Sequence, residues 1–288
     1  MMVEVLVHFV APALVGVLIG IASGLLGIGG GTVMVPIFRL AFGMSATVST
    51  ATSLFAIIPT SISGAISHVK GKTCIPALGI AAGLGGACLS PVGVWLAQLS
   101  PDWLVMLAAA LIIGYSAINM FKKAFKLRPA GQPATGVDAA AAASLTSLGD
   151  AAAAAPTADD SSLSRKQLLQ GAAIGLVAGL ASGYVGVGGG FIMVPLMLSI
   201  IGIPMRKASG TSLIAVMILA IPGVIEQGII GNINYLAGIA IVIGTIPGAV
   251  IGARLVTKVP ERTLRLLFGC FLIVAAVMLV LNEVGIFG

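Results

Sequence analysis

The sequence is poor in charged residues. Only 8% of its 288 residues are Asp, Glu, Lys or Arg, whereas soluble chains contain about 25%. Five stretches contain no charged residue at all: 5–38, 40–69, 73–101, 167–205 and 227–253. Each is longer than the ~20 residues that a helix needs to cross about 30 Å of hydrocarbon. This excludes an ordinary soluble domain and predicts an all-α polytopic membrane protein, multi-pass in the cell (inner) membrane.

The sequence also lacks the residue patterns of an active site or a cofactor site. No cluster of His, Cys, Asp and Glu has the spacing of metal ligands, no GxSxG occurs, and the three cysteines have no paired spacing. The glycine triplets are not P-loops, because no strand precedes them and no lysine follows. The net charge of +6 is spread along loops rather than gathered in a basic patch, which argues against nucleic acid as a partner. We therefore expect no metal, no cofactor and no enzymatic activity.

The chain repeats itself at a shift of 159 residues. At this shift GIASGLLGIGGGTVMVP at 20–36 falls on GLASGYVGVGGGFIMVP at 179–195, and glycine and proline matches continue as far as Pro101 and Pro260. A register kept over this distance indicates an internal duplication. Residues 127–165 are rich in Ala, Ser, Thr, Gly and Pro and almost empty of large apolar side chains, which is typical of a flexible tether. The predicted domains are a first transmembrane repeat at 1–126, a cytoplasmic linker at 127–165 and a second transmembrane repeat at 166–288.

Each repeat divides into five apolar segments. They cover 8–28, 31–42, 45–69, 75–99 and 103–122 in the first repeat, and 167–187, 190–201, 204–228, 233–255 and 261–282 in the second. The second segment of each repeat has 12 residues, about 18 Å as a helix, which is roughly half of the hydrocarbon core. A segment this short, preceded by three glycines, predicts the return arm of a hairpin whose bend lies inside the membrane. Each repeat is then a glycine-tipped hairpin plus three transmembrane helices.

The positive charges favour one orientation of the two repeats. If the short arms leave the chain on the side that it has reached, the repeats are parallel and only 8 of the 15 Lys and Arg residues share a face. If each arm returns the chain to its starting side, the repeats are inverted and 14 of the 15 share a face, with Arg39 opposite. Because positive residues concentrate on the cytoplasmic side, we predict inverted repeats. Inverted repeats are a recurrent transporter architecture with the substrate near the midplane.

The bends carry the clearest signal for a binding site. Three consecutive glycines weaken a helix and allow backbone angles that are closed to other residues. The helix that follows each bend begins with unpaired N–H groups and the positive end of its dipole, both of which favour an anion. Tight helix packing is the alternative explanation for these glycines. Two such helix ends, brought together by inverted symmetry, predict an anion site without a buried charged side chain.

Hydroxyl groups form a second signal, because a Thr-Ser pair follows each bend at the same distance. Such hydroxyls are suited to donate hydrogen bonds to an oxoanion, although bonding to the helix backbone is the alternative role. The predicted substrate-binding residues are Gly29, Gly30, Gly31, Thr32, Thr52, Ser53, Gly188, Gly189, Gly190, Phe191, Thr211 and Ser212. His68 and Glu226 are weaker candidates for carrying a coupling proton and, as residues near segment ends, are expected to face water. Arg254 is expected to snorkel towards the cytoplasmic surface.

These motifs resemble the TauE/SafE family of membrane permeases, often called sulfite exporters. The resemblance rests on GLLGIGGGTVMVP and GYVGVGGGFIMVP, on the following ATSL and GTSL, and on the later IPGAVIGARL. It covers everything except 127–165, although the first repeat has GGACLSPVGVWL where the second has GTIPGAVIGARL. The resemblance implies a secondary transporter that exports small sulfur-containing anions such as sulfite or organosulfonates. A non-transporting membrane protein, either an assembly partner or a membrane-embedded enzyme, is the alternative. The expected partners are the anion and the lipid bilayer, and a homo-oligomer is compatible with the sequence.

Overall fold

The protein is described by a computed structural model that covers residues 11–126 and 164–283. Over these ranges the chain is helical and contains no strand. The helices of the first repeat are α1 (Ala11–Leu26), α2 (Gly31–Phe42), α3 (Ala46–Lys70), α4 (Pro76–Leu99) and α5 (Asp102–Lys126). Those of the second are α6 (Arg165–Val185), α7 (Gly190–Leu196, continued by a π-helical turn at Met197–Ile201), α8 (Met205–Ile230), α9 (Tyr235–Leu255) and α10 (Glu261–Glu283). The prediction of an all-α protein with five segments in each half is confirmed for the described residues, while the predicted linker lies outside them up to residue 163.

Seven of the described helices are long and apolar enough to cross a membrane, namely α3, α4, α5, α6, α8, α9 and α10. Shorter apolar helices occupy Pro12–Leu26, Gly31–Phe42 and Gly190–Ile201. Large apolar side chains also point outwards from the long helices, as at Leu111 (65% exposed) and Ile229 (82% exposed). Outward-facing apolar surface of this extent is suited to lipid rather than to water. The chain is therefore a multi-pass membrane protein.

Small residues bring helices of different repeats into close contact. Gly16 lies against Gly244, and Gly20 lies so close to α9 that a Cβ added to it would stand 2.8 Å from the Cα of Thr245. Because these contacts advance in the same direction along both helices, α1 and α9 run parallel. Helices α6 and α4 pack in the same way, through contacts of Gly175 with Ala82, Gly179 with Gly86 and Gly183 with Ser90. The two repeats are thus interleaved, since each of these pairs takes one helix from each repeat.

Helices α3 and α8 cross in the centre of the molecule. The side chain of Leu213 packs against Gly64, and the side chain of Leu54 packs against Gly223. The early part of one helix therefore faces the late part of the other, so that α3 and α8 are antiparallel. The N-terminus of each is capped by an acidic residue in the first turn of the last helix of the same repeat, α5 for α3 and α10 for α8. Asp102 accepts a hydrogen bond from the backbone N–H of Ala46 (3.3 Å), and Glu261 accepts one from Met205 (3.3 Å).

Candidate functional site

Each repeat reverses direction in a bend between its first helix and its short second helix. The bends comprise residues 27–30 and 186–189. In the first bend Gly27, Gly29 and Gly30 have φ angles of 77°, 81° and 87°, and the equivalent glycines of the second bend have 72°, 87° and 66°. A side chain at such a left-handed φ costs about 1–2 kcal/mol. The glycine triplets are therefore explained by backbone geometry, because two of the three glycines in each triplet require a positive φ.

The two bends touch each other at the centre of the molecule. A Cβ added to Gly190 would stand 2.9 Å from the Cα of Ile28, and one added to Gly31 would stand 2.7 Å from the carbonyl carbon of Val187. The side chain of Ile57, near the middle of α3, lies against both bends. The backbone of both bends is buried. The structure therefore brings the predicted glycines of the two repeats together, in a closed arrangement where the bends are in van der Waals contact.

The serine of each Thr-Ser pair holds the bend of the opposite repeat. Ser212 donates a hydrogen bond to the carbonyl of Gly27 (2.7 Å) and to that of Ser209 (2.8 Å). Ser53 donates in the same way to the carbonyl of Gly186. These bonds give both serines a structural role at the site, because freed carbonyl groups inside a membrane protein need a partner.

The threonine of each pair bonds to the start of a different helix. Thr211 accepts a hydrogen bond from the backbone N–H of Ile75, just before α4 (2.9 Å), and donates to the carbonyl of Lys207 (2.7 Å). Thr52 accepts a hydrogen bond from the N–H of Asn234, just before α9 (3.0 Å). The structure therefore places both threonine hydroxyls with helix starts rather than with the bends. That they also bind substrate stays a prediction.

Thr32 and Phe191 occupy the same place in the two repeats, in the first turn of α2 and of α7. Both side chains are fully buried. The hydroxyl of Thr32 has no hydrogen-bond partner among the described residues, whereas Phe191 has no polar group to offer. The first bend therefore presents a hydroxyl that the second bend lacks.

Three buried serines near the bends were missed by the sequence analysis. Ser23, Ser61 and Ser182 are fully buried, and their hydroxyls have no hydrogen-bond partner in the described part of the chain. The Cβ of Ser23 lies 3.7 Å, and that of Ser182 3.4 Å, from where a Cβ on Gly30 or Gly189 would stand. The hydroxyl of Ser61 lies 3.5 Å from the same point on Gly29. Ala-Ser-Gly recurs in both repeats at 22–24 and 181–183, and this signal could have identified two of the three.

The first bend is consequently surrounded by hydrogen-bond donors that are not in use. The hydroxyls of Ser23, Thr32 and Ser61 lack partners, and the first N–H groups of a helix such as α2 have no intrahelical acceptor. Burying a hydroxyl without a partner costs roughly 1–3 kcal/mol. Three unpaired hydroxyls around one helix N-terminus are suited to receive an acceptor from outside the protein.

His68 lies at the edge of this region and is fully buried, contrary to the expectation that it faces water. Its Nε2 lies 2.8 Å from the carbonyl oxygen of Gly24, and its Nδ1 lies 2.7 Å from the hydroxyl of Thr73. Because a carbonyl can only accept, Nε2 is the protonated nitrogen and donates to Gly24. The His68 ring can be buried because these two bonds satisfy both of its nitrogens. Gln227 occupies the equivalent place in the second repeat and is likewise buried, whereas Glu226 is only partly buried.

Comparison with known proteins places the chain in a family. The family model described as "Sulfite exporter TauE/SafE" matches residues 12–279. The chain belongs to this family. The resemblance seen in the sequence is therefore confirmed, and with it the assignment to a family of membrane transporters. Among the described residues no group of three His, Cys, Asp or Glu side chains is arranged to hold a metal ion.

Three relatives match this chain over nearly their whole length. YunE from Bacillus subtilis is 27% identical over 288 residues, which is 97% of this chain and 99% of YunE. YdhB from the same organism is 26% identical over 253 residues, covering 88% and 92%. A protein from Haemophilus influenzae is 28% identical over 289 residues, covering 93% and 97%. All three are described as probable membrane transporter proteins. No solved structure gives a significant match.

Proposed function

We propose that this protein exports small sulfur-containing oxoanions, such as sulfite or organosulfonates, and binds them at the glycine bends. The observation that carries the proposal is the set of unpartnered buried hydroxyls of Ser23, Thr32 and Ser61 beside the N-terminus of α2. An oxoanion accepts hydrogen bonds from neutral donors and is favoured at a helix N-terminus, whereas a cation finds no acceptor group of opposite charge there. The family description supports the same class of substrate.

The closed contact between the bends fits an occluded resting state in this proposal. The anion reaches the hydroxyls when the two bends separate, and the hydrogen bonds of Ser53 to Gly186 and of Ser212 to Gly27 tie each bend to the opposite repeat. An inside-negative membrane potential favours outward movement of an anion by about 2.3 kcal/mol per charge per 100 mV. Export is therefore the direction in which a simple anion pathway works without a coupling ion.

Inverted repeats in the membrane are part of this proposal. The antiparallel crossing of α3 and α8 supports them, because these helices hold the same position in the two repeats. The positively charged residues support a cytoplasmic location for the C-terminal ends of α3 and α9 and the N-terminal ends of α6, α8 and α10.

Cysteine labelling tests this orientation. In a background without the native cysteines, we expect cysteines at Lys72 and Lys258 to be protected from an impermeant thiol reagent outside intact cells. A cysteine at Ala41, which is exposed at the opposite end of the first repeat, is expected to react. Permeabilising the cells must make all three reactive, which serves as the control. Reaction of only one of the Lys72 and Lys258 positions in intact cells would support parallel repeats instead.

Flux of labelled sulfite into proteoliposomes tests the function itself. We expect the purified protein to move sulfite and at least one organosulfonate faster than protein-free liposomes do, and an inside-positive potential to accelerate uptake. Sodium and potassium flux measured in the same vesicles controls for leakage. Absence of anion flux from correctly folded protein would favour the alternative of a non-transporting membrane protein.

A further inference from the structure

A pocket lined partly by polar residues lies at the C-terminal ends of α3 and α9. Its volume is about 560 Å³. Its lining includes three hydroxyl residues and two cations, and it contains no acidic residue: the lining residues are Ser63, Ile66, Ser67, Lys70, Gly71, Val250, Ala253, Arg254 and Thr257. Two positive charges facing one water-accessible pocket raise the local concentration of anions.

The pocket shares a wall with the chain that leads into the first bend. The backbone nitrogen of Ala253, which lines the pocket, would stand 2.9 Å from a Cβ on Gly24. The carbonyl of Gly24 is in turn held by His68, and Gly24 precedes the bend by three residues. The pocket therefore lies across α9 from the part of α1 that is one turn before the first bend.

The two ends of the molecule differ in this respect. At the shift of 159 residues, Lys70 corresponds to Ile229 and Arg254 corresponds to Trp95. Ile229 and Trp95 are exposed and carry no charge. Each repeat therefore has a cation at one of these two positions and an uncharged residue at the other. The pair of cations belongs to one end of the molecule only, the end that the positive-residue distribution makes cytoplasmic.

We propose that this pocket is the cytoplasmic docking site for the oxoanion before it enters the bends, an inference that rests on the proposed function. The guanidinium of Arg254 is suited to bind two oxygens of a sulfite or sulfonate group at once, and the ammonium of Lys70 adds a second charge. A lipid phosphate has the same chemistry. The contact between Ala253 and Gly24 favours the soluble anion, because it places the pocket beside the helix that leads into the proposed transport site.

The test compares two double variants that remove the same charge. Lys70→Gln with Arg254→Gln removes both cations of the pocket, and the control, Lys72→Gln with Lys258→Gln, removes two cations of the same end outside the lining. Uptake of labelled sulfite is measured in inside-out vesicles from cells that produce each variant. For the pocket variant we expect the half-saturating sulfite concentration to rise about tenfold at low ionic strength. The effect should shrink in 1 M salt, where the screening length falls to about 3 Å. Right-side-out vesicles should show no such change.

Each other outcome overturns the inference. An equal effect in the control variant would indicate a general surface potential, and an unchanged half-saturating concentration would remove the pocket from the pathway. Loss of co-purified anionic phospholipid from the pocket variant, measured by native mass spectrometry and without a change in sulfite uptake, would identify a lipid site. Absence of sulfite flux in the unmodified protein would instead count against the proposed function.

Discussion

Replacing Gly30 by valine is expected to reduce anion flux to the background of protein-free vesicles while leaving the protein folded in the membrane. Gly30 caps α2 with a φ of 87° and a ψ of −15°, a region that a β-branched side chain avoids. Its added Cβ would stand 3.0 Å from Ile19 and 3.0 Å from Met34. The valine would therefore shift the start of α2, where we propose that the anion binds to the free N–H groups. Gly189→Val is expected to act similarly in the second bend, where the Cβ would stand 3.0 Å from the carbonyl oxygen of Ala178.

Gly231→Val is the matched control for this experiment. Gly231 has a φ of 85°, nearly that of Gly30, and a Cβ added there meets nothing within 4 Å. Both substitutions therefore place valine in a left-handed conformation, at a cost of about 1–2 kcal/mol, but only one lies in a bend. We expect Gly231→Val to lower thermal stability while retaining flux per folded molecule. Normal flux in both Gly30→Val and Gly189→Val would mean that the bends are not the transport site.

The location of the bends was predictable because it depends on the local sequence. A short apolar segment after three glycines sets the length of the return arm, and a positive φ is available chiefly to glycine. The 159-residue register then pairs the two bends, and charge placement predicts their orientation in the membrane. The five segments of each repeat consequently agree with the observed helices to within a few residues.

The partners of the hydroxyl groups were not predictable in the same way. The sequence around a threonine or serine does not show whether its hydroxyl is free or bonded. The bonding state depends on a residue far along the chain. Ser212 bonds to Gly27 across 185 positions, and Thr211 bonds to Ile75 across 136. Ser23 and Ser61 have no such partner. Only tertiary packing separates these two groups of hydroxyls.

The duplicated sequence also conceals differences between the repeats at the site. The position of Thr32 is Phe191 in the second repeat, and that of Ser61 is Ala220. Of the hydroxyls without a partner near the bends, only Ser23 has an equivalent in the other repeat, at Ser182. The free donors are therefore concentrated on the first bend, although the backbone of the two bends is nearly the same. We infer a single anion site, made mainly by the first repeat and closed by the second.

Removing the free hydroxyls is expected to weaken anion binding without weakening the fold. In the double variant Ser23→Ala with Ser61→Ala, no hydrogen bond within the described structure is lost, so thermal stability should stay equal or rise. Each hydrogen bond to a charged group contributes about 1.5–3 kcal/mol. Loss of two such bonds should raise the dissociation constant for sulfite by about a hundredfold or more, at ~1.4 kcal/mol for each tenfold step. Affinity and melting temperature are measured on monodisperse, detergent-solubilised protein.

For the hydrogen-bonded threonines we expect the opposite effect on stability, so their double variant is compared with the serine variant. Thr52→Val with Thr211→Val leaves the N–H groups of Asn234 and Ile75 without their acceptors. The loss costs about 1–3 kcal/mol at the buried Ile75 and less at Asn234, which is exposed to solvent. The melting temperature should therefore fall, whereas the serine variant keeps its own. A tenfold or larger loss of affinity in the surviving threonine variant would uphold the prediction that these threonines bind substrate. Unchanged affinity in the serine variant would remove Ser23 and Ser61 from the site.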